Sequence, residues 1–215
     1  SGGAVRHDDR IYVRMDQIKY NLDEAIGKDD GIFRVGSHRF TLGPNLEMYL
    51  GYQSVSGFTA LFPSRIYEYL NEYADRKLPQ GWASFYYGIT DNSLFMDLLN
   101  VKYEISHEIK SIVRRETCLP RVFLVPNSKV MDSEEILATL KKCEFDPTTT
   151  LLLEKEGGHP PLLFQTPFGL THPGEARIVS YRPDEIVVKT SSQAEQYLFL
   201  SEVFYPGWKA FVDDS

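Results

Sequence analysis

The pattern of apolar and polar positions predicts a helix near the start of the chain. In residues 9–27 apolar side chains recur at intervals of three and four, which places them on one face of a helix. Gly27 is suited to end that helix, because glycine accepts the left-handed conformation common just past a helix C-terminus. The apolar positions of this face are Ile11, Met15, Ile18, Leu22 and Ile26.

Two more helices are predicted from their starting signals. One begins near Pro63, since proline suits the first helical turn, and it carries an apolar stripe within residues 66–73. The other spans residues 133–143, because Asp132 and Glu135 have the spacing of a capping box in front of an apolar face. Both helices therefore present one apolar side to the rest of the domain.

Short apolar runs predict strands between these helices. A brief helix through Leu99 is expected to end at Asn100, a residue that tolerates the left-handed conformation. Runs rich in β-branched and aromatic residues indicate strands at 32–35, 101–105, 121–125 and 151–154.

The last forty residues predict a β-rich end. Pro206-Gly207 forms the centre of a turn, because proline pre-sets φ at the first position and glycine accepts positive φ at the second. The segment 197–200 is apolar on both faces, which predicts a central strand. Four short strands with evenly spaced turns are typical of half a β-sandwich; they cover residues 177–181, 185–190, 197–204 and 208–212.

The elements together predict an α+β fold. A mixed α/β part over residues 8–147 is expected to pack with an antiparallel β-sandwich-like part over residues 148–215. A loop rich in proline and glycine, residues 157–174, lies close to the boundary between them.

Charge and hydropathy narrow the class of protein. The 215 residues carry a net charge of −7 and no basic run longer than two residues, which argues against a nucleic-acid partner. No apolar run approaches the ~20 residues of a membrane-spanning helix. Cys118 and Cys143 are expected to be two buried thiols, although an extracytoplasmic location permits a disulfide.

The sequence contains no pattern that assigns a catalytic residue, a metal site or a cofactor. His159 and His172 flank the proline-rich loop, but no cysteine or carboxylate stands at ligand spacing, so both are read as surface residues. Motifs of serine hydrolases, zinc proteases, phosphate-binding loops and dinucleotide folds do not occur.

Aromatic residues leave two readings open. They make up 13% of the chain and crowd residues 49–73. Aromatic rings stack on the apolar faces of sugars, which suggests a carbohydrate-binding surface. Tyrosine also fills half-buried positions with its hydroxyl at the rim, and this second reading is favoured. On the same grounds Tyr205 and Trp208 are expected in the core beside their turn.

Four segments resemble, in the same order, blocks of the YfhO-like family of bacterial membrane proteins. The chain's VFYPGWKAFVDD is similar to the family's YYPGWKAYVDG signature, and its LPRVFLV to a Leu-Pro-Arg-Ala-Phe block. The other two segments resemble a Tyr-Gly-Ile-Gln-Ser stretch that leads into a helix and a Leu-Leu-Asp-Leu-Leu-Gly-Val-Lys-Tyr block. They cover residues 46–71, 94–106, 119–125 and 203–214.

The resemblance implies a function for a larger protein. Members are polytopic proteins of the GT-C glycosyltransferase type, which move a sugar from a lipid-linked donor outside the membrane. Their catalytic carboxylate lies in loops among transmembrane helices that this chain lacks. The chain is therefore expected to be an accessory domain on the extracytoplasmic side of the cell membrane, without activity, metal or cofactor of its own.

The implied partners are the protein's own transmembrane region and a glycan or lipid-linked sugar. Candidate binding residues are Tyr52 and Gln53 in one block and Tyr205 and Trp208 in another. The alternative is a free-standing carbohydrate-binding or protein-interaction module.

Two departures from the family carry expectations of their own. The family shows Asp-Gly after its last block, whereas here Asp213-Asp214-Ser215 follows. One further hairpin is expected in the full protein, and an unpaired sheet edge would favour dimers in a shorter chain. Residues 10–27 have no family counterpart that can be placed.

Overall fold

The structure is a computed structural model. It describes residues 7–27, 29–37, 45–55, 57–58, 68–69, 85–86, 93–105, 112–155 and 174–213.

The helices and strands are named in chain order. The helices are α1 (His7–Ile26), α2 (Leu46–Tyr49), α3 (Ser93–Leu98) and α4 (Ser133–Lys142). The strands are β1 (Arg34–Ser37), β2 (Gly57–Phe58), β3 (Phe85–Tyr86), β4 (Val101–Ile105), β5 (Ile112–Arg114), β6 (Val122–Val125), β7 (Asn127–Met131), β8 (Thr150–Glu154), β9 (Glu175–Tyr181), β10 (Ile186–Ser191) and β11 (Tyr197–Leu200). The predicted α+β fold is confirmed.

The strands pair into one three-stranded sheet and several two-stranded ones. In the three-stranded sheet β4 lies in the middle, parallel to β1 and antiparallel to β5. The pairs β2–β3, β6–β11 and β9–β10 are antiparallel, and β7–β8 is parallel. The β6–β11 pair joins strands some seventy residues apart in the sequence, and a cluster of charged side chains lies at one end of it.

The α1 helix packs its predicted apolar face on the three-stranded sheet. Ile18, Leu22 and Ile26 are buried against Val35 of β1 and Ile105 of β4. Burying an aliphatic side chain of this size contributes roughly 1.5–3 kcal/mol. Gly27 has φ +63° and ends the helix as predicted, while the side chains of residues 11 and 15 lie outside the described part.

A second buried cluster lies beneath α3. Met96 and Val101 are fully buried, and Phe95 stacks on Tyr69 with ring centroids 4.4 Å apart. Asn100 adopts φ +57° directly after α3, as its position predicted. The predicted start at Pro63 and most of the stripe over residues 66–73 lie outside the described residues, of which 68–69 are helical.

The capping-box prediction is confirmed at α4. The backbone N–H of Asp132 donates to a carboxylate oxygen of Glu135 at 3.3 Å. Cys143 then ends the helix with φ +54°, a left-handed residue that the sequence pattern did not indicate. The first strand is shifted from its predicted position, since it begins at Arg34 and runs to Ser37. Strand β7 was not predicted at all.

The end of the chain differs from its prediction. The turn at Pro206-Gly207 forms, with Gly207 at φ +113° and the Trp208 N–H donating to the Tyr205 carbonyl at 3.1 Å. However, β11 stops at Leu200, and residues 201–213 contain no strand. The predicted strand over residues 208–212 is therefore wrong. Alternation alone does not make a strand when no neighbour accepts and donates its backbone hydrogen bonds.

Strand β11 also occupies a different place from the one predicted. Within the described residues it pairs with β6 alone, and Leu198 is 44% exposed. A central strand with two buried faces is therefore the wrong description. The division into residues 8–147 and 148–215 remains a prediction.

The prediction of two buried thiols is wrong for Cys143. Cys118 and Cys143 are thiols, and Cys118 is partly buried, but Cys143 is exposed. The reason is that Cys143 follows the last residue of α4 rather than standing on its apolar face. In the described part of the chain, no helix has both the length and the apolar character needed to cross a bilayer.

Candidate functional site

A buried ionic cluster forms where β6 begins and β11 ends. The Ser201 N–H donates to the Arg121 carbonyl at 2.9 Å, which extends the pairing of the two strands by one step. This contact brings Arg121 beside Ser201 and Glu202. Arg34 enters from the start of β1. We call Arg34, Arg121, Ser201 and Glu202, with Tyr181 and Gln53 at their edge, the arginine cluster.

The carboxylate of Glu202 is the centre of this cluster. One of its oxygens accepts from Arg34 Nη2 at 3.2 Å. The other accepts from Arg121 Nη1 at 3.1 Å and from the Tyr181 hydroxyl at 2.6 Å. The Arg121 guanidinium also lies 5.8 Å from the centre of the Tyr181 ring, within the range of a cation–π contact.

Backbone carbonyls hold the guanidinium groups in place. Arg34 donates to the carbonyls of Leu99 at 2.9 Å and Ser201 at 2.8 Å. The Ser201 hydroxyl accepts from Arg34 at 3.1 Å and donates to the Leu98 carbonyl at 2.7 Å. Strand β1, the end of α3 and the end of β11 are thus joined through a single side chain.

Arg121 is the most buried charged group of the cluster. Its side chain is 2% exposed, against 24% for Glu202. Its Nη2 donates to the side-chain oxygen of Gln53 at 2.6 Å, and its Nε is buried with no hydrogen-bond partner among the described residues. Burial, and then the neighbouring Arg34 cation, lower the pKa of Arg121 to about 10.

A second ionic cluster has the opposite charge balance. Arg115 donates to Asp97 at 2.7 Å and also to Glu104, so that one guanidinium lies between two carboxylates. The Thr117 hydroxyl donates to the same Asp97 oxygen at 2.9 Å. Burial acts to lower the pKa of Arg115, but the two carboxylates outweigh it and raise that pKa. Arg115 is largely buried, with 13% of its side chain exposed.

The structure separates the four candidate binding residues. Only Gln53 contacts the arginine cluster. Tyr52 points to α1, where its hydroxyl donates to Asp23 at 2.5 Å. Burial and this carboxylate raise the pKa of Tyr52 to about 12.

Tyr205 and Trp208 lie together on the surface. Tyr205 is 62% exposed and Trp208 40% exposed, so the expectation that they belong to the core is wrong. The turn between them closes without a second strand to cover their rings. Their role in binding remains a prediction.

Sequence reasoning missed the cluster itself. A usable signal was present, because Arg34 stands within the apolar run IFRV, Arg121 directly precedes VFLV, and Glu202 comes two residues after YLFL. A charged residue attached to a buried strand is usually paired or hydrogen-bonded, since an isolated buried charge is very costly. His159 and His172 lie outside the described residues, and no metal-binding group of three side chains occurs within them.

The arrangement is suited to holding oxyanions and to fixing segments together. A guanidinium offers five N–H donors in a plane and recognises carboxylate or phosphate through two parallel hydrogen bonds. Comparison with known proteins adds no assignment: no family model matches the chain, and no curated protein or solved structure shows significant similarity to it.

Proposed function

We propose that this chain is an accessory extracytoplasmic domain of a membrane protein of the GT-C glycosyltransferase type. Its role is to brace the membrane part or to position an acceptor or partner, and sugar transfer takes place elsewhere in that protein. The proposal starts from the resemblance to the YfhO-like family in four separate segments.

The observation that supports it is the convergence of those segments. Gln53 comes from the first block, and the Leu98 and Leu99 carbonyls come from the second. Arg121 belongs to the third block, and Glu202 directly precedes the fourth. Residues far apart in the sequence that share one buried network must be present together for any of them to be satisfied, which is a physical reason for such blocks to occur as a set.

The cluster favours a bracing role over catalysis. Arg34 and Ser201 are committed to backbone carbonyls, and Glu202 accepts three hydrogen bonds. Groups held in this way fix the ends of β1, α3, β6 and β11 relative to one another. A general acid or base needs instead a proton that it can exchange with a substrate.

A direct test is to mix the 215-residue chain with a lipid-phosphate sugar donor and a cell-envelope acceptor. We expect no transfer of sugar, whereas membranes carrying the longer protein should support it under the same conditions. Turnover by the chain alone would overturn the proposal. The gene offers a second test, because the reading frame around these residues should encode membrane-spanning helices.

A free-standing carbohydrate-binding or interaction module is the second candidate. The exposure of Tyr49, Tyr205 and Trp208 favours it, since open aromatic rings can stack on sugars. Binding on a glycan array that Trp208→Ala abolishes, and that Tyr20→Ala on α1 leaves intact, would support this function. Both tyrosine and tryptophan positions are exposed, so neither change should disturb the fold.

A further inference from the structure

We infer that the Nε–Nη2 edge of Arg121 is a binding site for an oxyanion, a carboxylate or phosphate group that makes two parallel hydrogen bonds to Nε and Nη2. This site does not depend on the proposed accessory role. It follows from the donors that the structure leaves unused on a deeply buried guanidinium.

One edge of the group carries a donor without a partner, Nε, and a donor bound to a neutral amide, Nη2. In an arginine side chain, Nε–H and one N–H of Nη2 point to the same side, as a two-pronged donor. Arg121 Nε has no hydrogen-bond partner, and Nη2 donates only one hydrogen bond, to Gln53, within the described residues. Two adjacent oxygens of a carboxylate or phosphate fit this edge, and such paired contacts are among the strongest in proteins.

The charge around Arg121 also favours an incoming anion. Among the residues that the structure describes, Glu202 is the one carboxylate that contacts Arg121, and it contacts Arg34 as well. Arg121 therefore shares its counter-ion with a second cation, and only 2% of its side chain is exposed. A buried charge that is incompletely compensated is costly, and a second anion would lower that cost.

An anion would reach this edge by displacing Gln53. Gln53 is an exposed residue, and its side-chain oxygen sits 2.6 Å from Nη2. Rotation of this side chain away from Arg121 would let an anion take its place. The neutral amide oxygen of Gln53 is a weaker acceptor for the guanidinium donors than a negatively charged oxygen would be.

Arg115 provides the matched control within the same chain. It is likewise buried and engaged in ion pairs, but it lies between two carboxylates, Asp97 and Glu104. Its surroundings repel an additional anion. Substitutions at both arginines perturb a buried ion cluster, and only the one at Arg121 should affect anion binding.

The experiment follows thermal unfolding of the whole 215-residue chain in Tris-chloride, with inorganic phosphate and acetate as probes and sodium chloride at matched ionic strength as reference. A ligand at ten times its dissociation constant should raise Tm by about 3–6 °C for a chain of this size. We expect saturable stabilisation by one or both probes. Stabilisation by phosphate alone would indicate phosphoryl ligands. Equal stabilisation by acetate would indicate carboxylate ligands.

Variants decide whether Arg121 is responsible. Arg121→Lys keeps the charge but removes the two-pronged edge, and should weaken binding at least about tenfold, whereas Arg115→Lys should leave the dissociation constant unchanged. Glu202→Gln removes the competing carboxylate and should tighten binding. The inference is overturned if neither probe stabilises beyond chloride, if Arg121→Lys binds as the parent does, or if Glu202→Gln fails to tighten binding.

Discussion

Removing Glu202 should destabilise the fold more than removing Arg121, although Arg121 is the more deeply buried residue. Glu202→Ala takes away the acceptor of Arg34, Arg121 and the Tyr181 hydroxyl together. Two largely buried guanidinium groups then face each other without the carboxylate between them. Breaking a buried ion pair in this way typically costs about 3–5 kcal/mol.

Arg121→Met leaves far fewer polar groups without a hydrogen-bond partner. The Ser201 carbonyl keeps its hydrogen bond from Arg34 at 2.8 Å, and the exposed Gln53 side chain can turn to water. Glu202 keeps Arg34 and Tyr181 as donors. Because Glu202 still faces Arg34, no buried charge is left without an opposite charge, and we expect a loss of no more than about 1.5 kcal/mol, the size of a lost hydrogen bond.

Urea unfolding monitored by circular dichroism measures both losses, and it should be run in chloride buffer so that no oxyanion compensates the missing carboxylate. The cluster around Arg115 supplies a reversed control, because one cation there serves two carboxylates. Arg115→Met should therefore cost more than Glu104→Gln. An Arg121→Met loss equal to or greater than that of Glu202→Ala would refute the role assigned to charge balance.

Three further predictions concern the core, the pH dependence and the thiols. Leu22→Ala should lower the free energy of unfolding by about 2–5 kcal/mol in urea unfolding, because this side chain is almost fully buried. The hydrogen bond from Tyr52 lowers the pKa of the Asp23 carboxyl. The stabilisation that this hydrogen bond gives is therefore fully present above the pKa of Asp23 in the unfolded chain, and it is lost as the pH falls through the pKa of Asp23 in the folded chain. Tyr52→Phe should then reduce Tm slightly at pH 7 and not in strong acid; an equal loss at both would contradict it. Maleimide should label Cys143 well before Cys118, because burial raises the pKa of the Cys118 thiol, and mass spectrometry showing equal rates would refute this.

Elements whose signals are local were predictable from the sequence. The α1 face, its end at Gly27 and the capping box of α4 all depend on residues within a few positions of one another. Strand β4 was predicted at its observed bounds, since its alternating pattern matches one buried and one half-buried face. Such signals act through backbone geometry and side-chain spacing, which a linear pattern records.

The partners of each strand could not be read in the same way. The run that contains β11 was assigned to a hairpin with residues 208–212, but it pairs with β6 instead. Both choices satisfy the apolar character of the run. The structure selects the one in which Ser201 and Glu202 also reach the arginine groups. These contacts join residues far apart in the sequence, so a short stretch of sequence could not predict them.

The sequence by itself determined the class of fold, the helix that covers the sheet, and the places where helices start and stop. Tertiary structure alone decided which strands meet and which charges share a counter-ion. Arg34, Arg121 and Glu202 are separated by 81 to 168 positions, and they interact because three different strand ends arrive at one point. Burial at that point, rather than the identity of any single residue, leaves Arg121 Nε without a hydrogen-bond partner among the described residues.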